Sequence, residues 1–282
     1  MEIIKDIHEM TEAACRIRSM GLKSSLVPTM GYLHEGHLCL VRLAKKISDR
    51  VIVSIFVNPA QFGPNEDLAK YPRDIERDIS LLEAERVDAL FYPEAKAMYP
   101  AGFQTFINVE ALSGTMCGAS RPGHFRGVAT VVAKLFNIVQ PDTAVFGEKD
   151  FQQLAIIRRM VEDLNMPIKV IGHPIVREKD GLAMSSRNVY LNSNERKTAT
   201  VLFESLELAR TLIKQDEHGA DRIRDAVKRH ILSRPGTKID YIFIGDTETL
   251  KPVKTIKDRG IIALAVLVGS TRLIDNIILG PV

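Results

Sequence analysis

Two histidines, His34 and His37, are separated by one glutamate and one glycine within residues 27–38. Residues 23–29 before them predict a short strand, and apolar residues at helical spacing after them predict a helix. Histidines three positions apart lie on the same side of a helical turn, so we expect both rings to face one pocket. Imidazole N–H groups beside the outward-pointing backbone N–H groups of a helix start suit the binding of a phosphate.

Three interpretations of this pair are open at this point. The histidines belong to a nucleotide site, they are surface residues of an ordinary turn, or they form part of a zinc site. Zinc needs further ligands, and no cluster of His or Cys follows in the sequence. The His-x-Gly-His spacing at a strand-to-helix turn resembles the signature of the adenylyl- and cytidylyltransferase superfamily, which class I aminoacyl-tRNA synthetases share, and this favours a nucleotide.

Three further polar clusters follow predicted strands, where a doubly wound sheet places its functional loops. They are residues 58–61 (Asn-Pro-Ala-Gln), 147–153 (Gly-Glu-Lys-Asp-Phe-Gln-Gln) and 184–188 (Met-Ser-Ser-Arg-Asn). The carboxamide of Gln61 suits a substrate with both hydroxyl and carboxylate groups. Lys149 supplies a compact cation for phosphate, and the third cluster supplies two hydroxyls and a guanidinium for a triphosphate. Taken singly, each cluster is also compatible with a loop that faces water.

The composition is that of an ordinary globular chain. Of 282 residues, 45% are hydrophobic and 26% charged, and the net charge of +3 is too small to indicate a nucleic-acid partner. Cys15, Cys39 and Cys117 are odd in number and widely spaced, as expected of reduced thiols. No signal-peptide pattern begins the sequence, and no apolar run approaches the roughly 18 residues of a membrane span. We therefore expect a cytoplasmic protein without a membrane partner.

Alternating strands and helices up to residue 176 predict an α/β fold with a doubly wound parallel sheet, Rossmann-like in type. The nearly continuous apolar run at residues 51–57 is typical of a buried central strand. We also expect a helix over residues 3–20 and a strand over residues 105–109. Beyond residue 176, two helices and three apolar strands predict a smaller α+β domain. The link Gly269-Ser270-Thr271 between the last two strands predicts a turn and antiparallel pairing. The predicted domains are therefore residues 1–176 and 177–282, the second carrying the loop of residues 184–187.

Seven segments, taken in order, resemble the pantoate–β-alanine ligase family over essentially the whole chain. They are Pro28-Thr-Met-Gly-x-Leu-His-Glu-Gly-His37, Phe56-Val-Asn-Pro-x-Gln-Phe-Gly-Pro-Asn-Glu-Asp67, Tyr71-Pro-Arg73, Arg121-Pro-Gly-His-Phe125, Phe146-Gly-Glu-Lys-Asp150, Met184-Ser-Ser-Arg-Asn-Val-Tyr-Leu191 and Arg272-Leu-Ile-Asp-Asn276. The match is specific, because related nucleotidyltransferases share only His-x-Gly-His and a loose second signature.

The resemblance implies an enzyme of the His-x-Gly-His nucleotidyltransferase type. Such an enzyme condenses (R)-pantoate with β-alanine in a reaction driven by ATP, through a pantoyl adenylate, and releases AMP and pyrophosphate. Two rivals stay open: another nucleotidyltransferase with a phosphorylated acceptor, and a non-catalytic module that binds adenine nucleotides. A tRNA synthetase is disfavoured, because 282 residues leave little room for an anticodon-binding domain.

The resemblance also implies a role for each residue that matches its motifs. The residues implied to bind ATP are Met30, Gly31, Tyr32, Leu33, His34, Glu35, Gly36, His37, Gly147, Glu148, Lys149, Asp150, Val176, Met184, Ser185, Ser186 and Arg187. Those implied to act in catalysis are His34, His37, Lys149, Ser185, Ser186 and Arg187, with His37 as the acid that assists the departure of pyrophosphate. Gln61 is implied to hold pantoate and β-alanine, and Gln153 to hold pantoate.

The remaining implications concern the metal and the partners. In the family Mg²⁺ accompanies ATP, which is a substrate, and no prosthetic group is expected. Asp78 is the candidate for a contact with the metal through water, although the family's paired acidic residues are here Arg77 and Asp78. The expected partners are small molecules (pantoate, β-alanine and ATP) and a second copy of the chain, in a homodimer formed through the N-terminal domain. No nucleic acid is expected.

Overall fold

The structure, a computed structural model, describes residues 1–64 and 66–280. Asn65, within the matched stretch 56–67, and the last two residues of the predicted C-terminal domain lie outside the described residues. The chain divides into two compact units. The first comprises Met1–Gly114, Arg121–Glu148 and Gln153–Pro174, and the second comprises Thr115–Ser120, Lys149–Gln152 and the chain from Ile175 onward.

The first unit contains a parallel sheet. Among the described residues its six strands are β1 (Glu2–Ile4), β2 (Ser24–Thr29), β3 (Arg50–Ile55), β4 (Ala89–Phe91), β5 (Thr143–Gly147) and β6 (Lys169–His173). They lie in the order β1-β4-β3-β2-β5-β6, and each neighbouring pair is parallel. All the carboxyl ends therefore meet at one edge, where the loops that follow the strands gather.

Helices connect these strands, as is usual for crossovers between parallel strands. They are α1 (Ile7–Ser19), α2 (Glu35–Ile47), α3 (Ile75–Ala84), the short α4 (Ala95–Met98) and α5 (Met116–Ser120), α6 (His124–Val139) and α7 (Phe151–Asp163). None of the helices in residues 1–64 and 66–280 has both the length and the apolar character that crossing a membrane requires.

Both faces of the central strands are buried, as the apolar run of residues 51–57 predicts. Val51, Val53 and Ile55 of β3 pack in one cluster with apolar side chains of α2 and α3. Ile52 between them is fully buried, and successive side chains of a strand point to opposite faces. Helix α6 contacts β2 and α1. The doubly wound arrangement predicted from the sequence is confirmed.

The second unit contains an antiparallel sheet packed against helices. Its elements are α8 (Ser193–Thr198), α9 (Val201–Lys214), α10 (Ala220–Leu232), β7 (Thr237–Gly245), β8 (Gly260–Val268) and β9 (Thr271–Leu279). β8 pairs with both β7 and β9, so the turn predicted between the last two strands is confirmed. Leu206 and Ile223, from α9 and α10, share a buried core with Val266 and Ile277 of the sheet.

Two local predictions are wrong. Residues 3 and 4, predicted to begin a helix, belong to β1 instead, because this strand pairs with β4 along the edge of the sheet. Residues 105–109 form no strand in the part of the chain that the structure describes. Instead the backbone N–H of Ile107 donates to Oγ1 of Thr130 in α6, at 2.9 Å.

Candidate active site

The loop between β2 and α2 is shaped by a buried carboxylate. Gly31 and Tyr32 both have left-handed backbones, with φ of +81° and +50°. The backbone N–H groups of Tyr32 and Leu33 each donate to the carboxylate of Asp78 at 2.7 Å. Asp78 is 1% exposed, and a Cβ on Gly31 would lie 3.0 Å from its Oδ2. Asp78 thus accepts the loop's N–H groups at a point where a side chain on Gly31 would not fit.

The two histidines meet at the start of α2. His34 is the N-cap, and its Nδ1 accepts the N–H of Gly36 at 3.1 Å. The Nδ1 of His37 accepts the N–H of His34 at 3.3 Å, and the ring centroids are 4.1 Å apart. A neutral imidazole that accepts at Nδ1 carries its proton on Nε2. The helix start therefore sets the tautomer in which Nε2 of both rings is the donor, as binding of a phosphate needs.

Gln61 lies in a short 3₁₀ turn, Pro59–Gln61, that follows β3. Its side chain is buried, and its Oε1 accepts a hydrogen bond from Nδ2 of Asn58 at 3.1 Å. Its Nε2 lies 3.2 Å from the sulfur of Met30. Gln61 and Met30, both predicted site residues, are thus brought together in the first unit.

A chain of polar contacts connects Gln61 with the loop that precedes α6. Arg121 donates to both carboxylate oxygens of Glu66, at 2.7 and 2.5 Å. Its Nη1 lies 3.1 Å from Nε2 of His124, whose Nδ1 lies 2.8 Å from the backbone oxygen of Gln61. Because Arg121 can only donate, His124 accepts at Nε2 and donates from Nδ1. The loop is thereby attached to the backbone of a predicted substrate residue.

Helix α6 approaches the same turn closely at Gly127. A Cβ at this position would lie 2.2 Å from the carbonyl oxygen of Ala60 and 2.7 Å from Cα of Gln61. Asn58 links the turn to helix α6, because its Nδ2 also donates to the carbonyl oxygen of Gly127 at 3.1 Å. The position of Gln61 therefore depends on a glycine in the helix that packs against it.

In the second unit, Lys149 lies in a 3₁₀ turn between β5 and α7. Its Nζ is 3.9 Å from a carboxylate oxygen of Asp150. Nδ2 of Asn276, in β9, donates to the main-chain oxygen of Lys149 at 2.9 Å. The turn that carries the predicted phosphate-binding cation is thus held by a residue far away in the sequence.

Val176 and Met184 lie opposite each other in a small hairpin of residues 176–184. The N–H of Met184 donates to the carbonyl oxygen of Val176 at 3.0 Å, and Arg177 pairs with Ala183 as an antiparallel bridge. The hairpin turns at Gly181, where φ is +91°. The structure therefore brings together two predicted ATP residues that are eight positions apart.

Ser185, Ser186 and Arg187 follow this hairpin directly. Ser185 caps a 3₁₀ helix, Ser186–Tyr190, and its Oγ accepts the N–H of Arg187 at 3.3 Å. Asn188 then donates to the carbonyl oxygen of Ala183 at 3.2 Å, which holds the start of the 3₁₀ helix against the hairpin.

The two adjacent glutamines at the start of α7 differ in their surroundings. Gln152 is buried, donates to the backbone oxygen of Thr115 at 2.7 Å and accepts the N–H of Cys117 at 3.0 Å. It therefore holds α5 within the second unit. Gln153 is half-buried and belongs to the first unit, and it stays the candidate for pantoate.

Sequence reasoning missed the residues that support these side chains. Asn58, His124 and Asn276 each hold the backbone or side chain of a predicted site residue. Asn58 and His124 lie in segments that the sequence singled out, but their partners are not visible from local spacing. Only the motif at residues 272–276 pointed toward Asn276.

The part of the chain that the structure describes offers a metal ion few protein ligands. No group of three or more His, Cys, Asp or Glu side chains in residues 1–64 and 66–280 is arranged so that it could hold a metal ion. Asp78 offers a single carboxylate whose oxygens each accept one N–H, and Arg77 lies 3.8 Å from it. One carboxylate together with phosphate oxygens and water is a common environment for Mg²⁺, so the residues fit a metal held mainly by the substrate.

The chain is similar to known proteins over its whole length. The family profile described as pantoate-beta-alanine ligase matches residues 2–278. The pantothenate synthetase of Geobacter sulfurreducens is 56% identical over 280 residues, which cover 99% of each chain. The crystal structure of pantothenate synthetase from Thermus thermophilus superposes with a TM-score of 0.93 at 47% identity, covering both chains completely. That of pantoate-beta-alanine ligase from Francisella tularensis, complexed with beta-gamma ATP and beta-alanine, has a TM-score of 0.82 at 35% identity, covering 98% of this chain and 97% of that one.

Proposed function

The chain belongs to the pantoate–β-alanine ligase family, and we propose how its own residues carry out the reaction of that family. It is an enzyme for the ATP-dependent condensation of (R)-pantoate with β-alanine to pantothenate, releasing AMP and pyrophosphate. The observation that carries the assignment of residues is the joint presence of the histidine pair at the start of α2 and of Gln61 beside Met30.

In the first step the carboxylate of pantoate attacks the α-phosphorus of ATP, and pyrophosphate leaves. A carboxylate is a poor acylating agent at neutral pH, so the adenylate supplies the leaving group that amide formation needs. The Nε2 groups of His34 and His37 stabilise the charge that develops on the phosphates, and His37 assists the departure of pyrophosphate. Lys149 and Arg187 supply fixed positive charge to the triphosphate.

The remaining residues position the reactants. Gln61 holds pantoate and then β-alanine, and Gln153 holds pantoate, because a carboxamide can both donate to a carboxylate and accept from a hydroxyl. The backbone N–H groups near Gly147 and the hydroxyls of Ser185 and Ser186 bind ATP. Holding both reactants in line removes much of the entropic cost of their encounter.

In the second step the amine of β-alanine attacks the acyl carbon of pantoyl adenylate. The bond from that carbon to the phosphate oxygen breaks, AMP leaves, and the amine loses a proton as the amide forms. The mixed anhydride must be kept from water during this step. The loop that precedes α6 suits this role, since Arg121 in that loop contacts His124 at the start of α6, and His124 contacts the backbone oxygen of Gln61.

We propose that Mg²⁺ accompanies ATP. When bound it would offset the charge of the leaving pyrophosphate, with phosphate oxygens as most of its ligands. In this proposal Asp78 contacts the metal through water and continues to accept the N–H groups of Tyr32 and Leu33.

Exchange of labelled pyrophosphate into ATP tests the two-step mechanism. Enzyme, ATP, Mg²⁺ and pantoate should support exchange without β-alanine, because the adenylate forms first. A Lys149→Ala variant should suppress the exchange, and Gln153→Ala should impair the use of pantoate more than the binding of ATP. Exchange that strictly requires β-alanine, or ADP as the product, would contradict the mechanism.

We further propose that the enzyme is a cytoplasmic homodimer joined through its N-terminal domain. Closed two-fold dimers are the commonest oligomers of globular proteins, and Cys15, Cys39 and Cys117 are free thiols, as in a reducing compartment. Light scattering at micromolar concentration should show twice the 31.5 kDa of one chain. A monomer under those conditions would argue against the dimer, and cell fractionation tests the compartment.

A further inference from the structure

Strand β9 carries two neighbouring polar side chains that are almost completely buried. Asp275 is 2% exposed and Asn276 is 5% exposed. They lie in the matched motif at residues 272–276, yet the reaction described above gives neither of them a role. Successive side chains of a strand point to opposite faces, and these two reach different segments of the second unit.

Asn276 reaches the turn that carries Lys149. Its Nδ2 donates to the main-chain oxygen of Lys149 at 2.9 Å. A hydrogen bond to the main chain fixes the point from which a side chain extends, whichever rotamer that side chain adopts. Asn276 therefore determines where the ammonium group of Lys149 can reach.

Asp275 reaches the hairpin of residues 176–184 through Arg177. The guanidinium of Arg177 donates to both carboxylate oxygens of Asp275, at 2.6 and 2.9 Å, and also to the carbonyl oxygen of Gly181 at 3.0 Å. Such a two-pronged pair fixes orientation as well as distance. The strand that holds Lys149 therefore also holds the hairpin that ends at Met184.

We propose that Asn276 is a positioning residue for the adenylation step. It holds Lys149 in a fixed relation to the hairpin of residues 176–184, so that both segments bind one triphosphate. This inference rests on the proposed role of Lys149 as a phosphate-binding cation. Misplacing a reacting or stabilising group by about 1 Å can cost on the order of 10²-fold in rate, so the loss of this support should be measurable.

The variant Asn276→Leu tests the inference, because leucine has a similar shape and no N–H to donate. We expect kcat for pyrophosphate exchange to fall by roughly 10- to 100-fold, with KM for pantoate unchanged. Reaction of preformed pantoyl adenylate with β-alanine should proceed at the wild-type rate, since no triphosphate takes part in it. Ile274→Ala, two residues earlier on the same face of β9, is the matched control for a general weakening of the strand.

A double variant separates positioning from stability. If Asn276 acts by placing Lys149, then Asn276→Leu should have little further effect in a Lys149→Ala background, because the group to be placed is gone. A side chain that only stabilises the fold would lower the rate in both backgrounds by the same factor. If Asn276→Leu does not fold, Asn276→Asp takes its place, since it keeps the shape and puts an oxygen where the donor was.

The possible failures are distinguishable. The inference would be overturned if Asn276→Leu exchanged pyrophosphate at the same rate as the Ile274→Ala control. It would also be overturned if Asn276→Leu lowered the rate by the same factor in the Lys149→Ala background as in the wild type. Normal exchange by Lys149→Ala alone would instead overturn the proposed role of Lys149. A wild-type enzyme without any exchange would overturn the adenylation mechanism itself.

Discussion

A carboxylate oxygen of Asp78 accepts the backbone N–H of Tyr32 at 2.7 Å, across 46 positions of sequence. The other oxygen accepts the N–H of Leu33 at the same distance. Tyr32 has a left-handed φ of +50°, a conformation that costs free energy for a residue with a side chain. The buried carboxylate thus stabilises an unfavourable loop immediately before the histidines of α2.

We expect Asp78→Asn to weaken ATP binding while leaving the protein folded. An amide has one acceptor oxygen for the two N–H groups, and leaving one buried N–H unpaired costs about 1–3 kcal/mol. That loss corresponds to roughly 5- to 150-fold in affinity, measurable by calorimetric titration of ATP. Asp74→Asn, which removes a nearby negative charge but not these acceptors, serves as the control. Equal ATP affinity in the wild type and Asp78→Asn would show that the loop does not need the carboxylate.

The acid side of the pH–activity profile should also depend on Asp78. Burial raises the pKa of Asp78 above that of an ordinary aspartate, although hydrogen bonds from Leu33 and Tyr32 oppose the shift. As the pH falls through this raised pKa, the carboxyl group gains a proton and one acceptor is lost, so activity should fall. Asp78→Asn should lack this acid limb, and an unchanged limb in the variant would assign it to another group.

Protonation of Asp78 should affect the stability of the fold in the opposite direction from its effect on activity. A raised pKa means that the folded state binds the proton more tightly than the unfolded state does. Protonation of Asp78 as the pH falls through the raised pKa therefore contributes stability rather than removing it. Loss of activity on this limb should precede any loss of structure followed by circular dichroism.

His37 can be tested with two substitutions that divide its two roles. Asn places a polar group near the position of Nδ1, which caps the start of α2, whereas Gln extends to the position of Nε2. His37→Asn should lower pyrophosphate exchange by on the order of 10²–10³-fold, as removal of a transition-state donor does, while the melting temperature changes little. His37→Gln should retain more activity than His37→Asn. Near-normal turnover in His37→Asn would remove Nε2 of His37 from catalysis.

Gly127→Ala should impair substrate binding without touching a substrate. Its Cβ would lie 2.7 Å from Cα of Gln61, so the turn must move and Gln61 with it. Overpacking of this kind costs about 1–3 kcal/mol of stability, and KM for pantoate and for β-alanine should rise while ATP affinity holds. Gly114→Ala is the control, because a Cβ there meets no described atom within 4 Å. Unchanged KM values in Gly127→Ala would show that Gln61 does not bind these substrates.

The fold was predictable where the signal is local. The apolar run at residues 51–57 and the turn near Gly269 have the expected form, because burial on two faces and hairpin geometry depend on neighbouring residues. Ile3 and Ile4 were mistaken for helix, since their conformation is decided by the pairing of β1 with β4. At residues 105–109 the pattern suits a strand, but Ile107 donates to the side chain of Thr130 instead.

In the candidate site, too, only the features that depend on neighbouring residues could be predicted from the sequence. The spacing of His34 and His37 predicted that both rings face the same side of a helical turn, and the ring centroids lie 4.1 Å apart. The contact of Asn276 with Lys149 spans 127 positions of sequence. A local pattern of residues does not indicate a contact at that separation. Sequence patterns therefore identified the groups proposed to touch substrates, whereas the residues that hold those groups required the fold.

The use of Nδ1 as an acceptor by both histidines predicts how ATP binding depends on ionic strength. Each Nδ1 accepts an N–H at the start of α2, so a ring that caps the helix in this way is uncharged, and we expect it to bind phosphate as a dipole. Dissolved salt screens interactions between full charges much more than short contacts of neutral donors. The salt dependence of ATP binding should therefore originate in Lys149 and Arg187. His37→Asn should keep the wild-type salt slope, while Lys149→Ala should make it shallower.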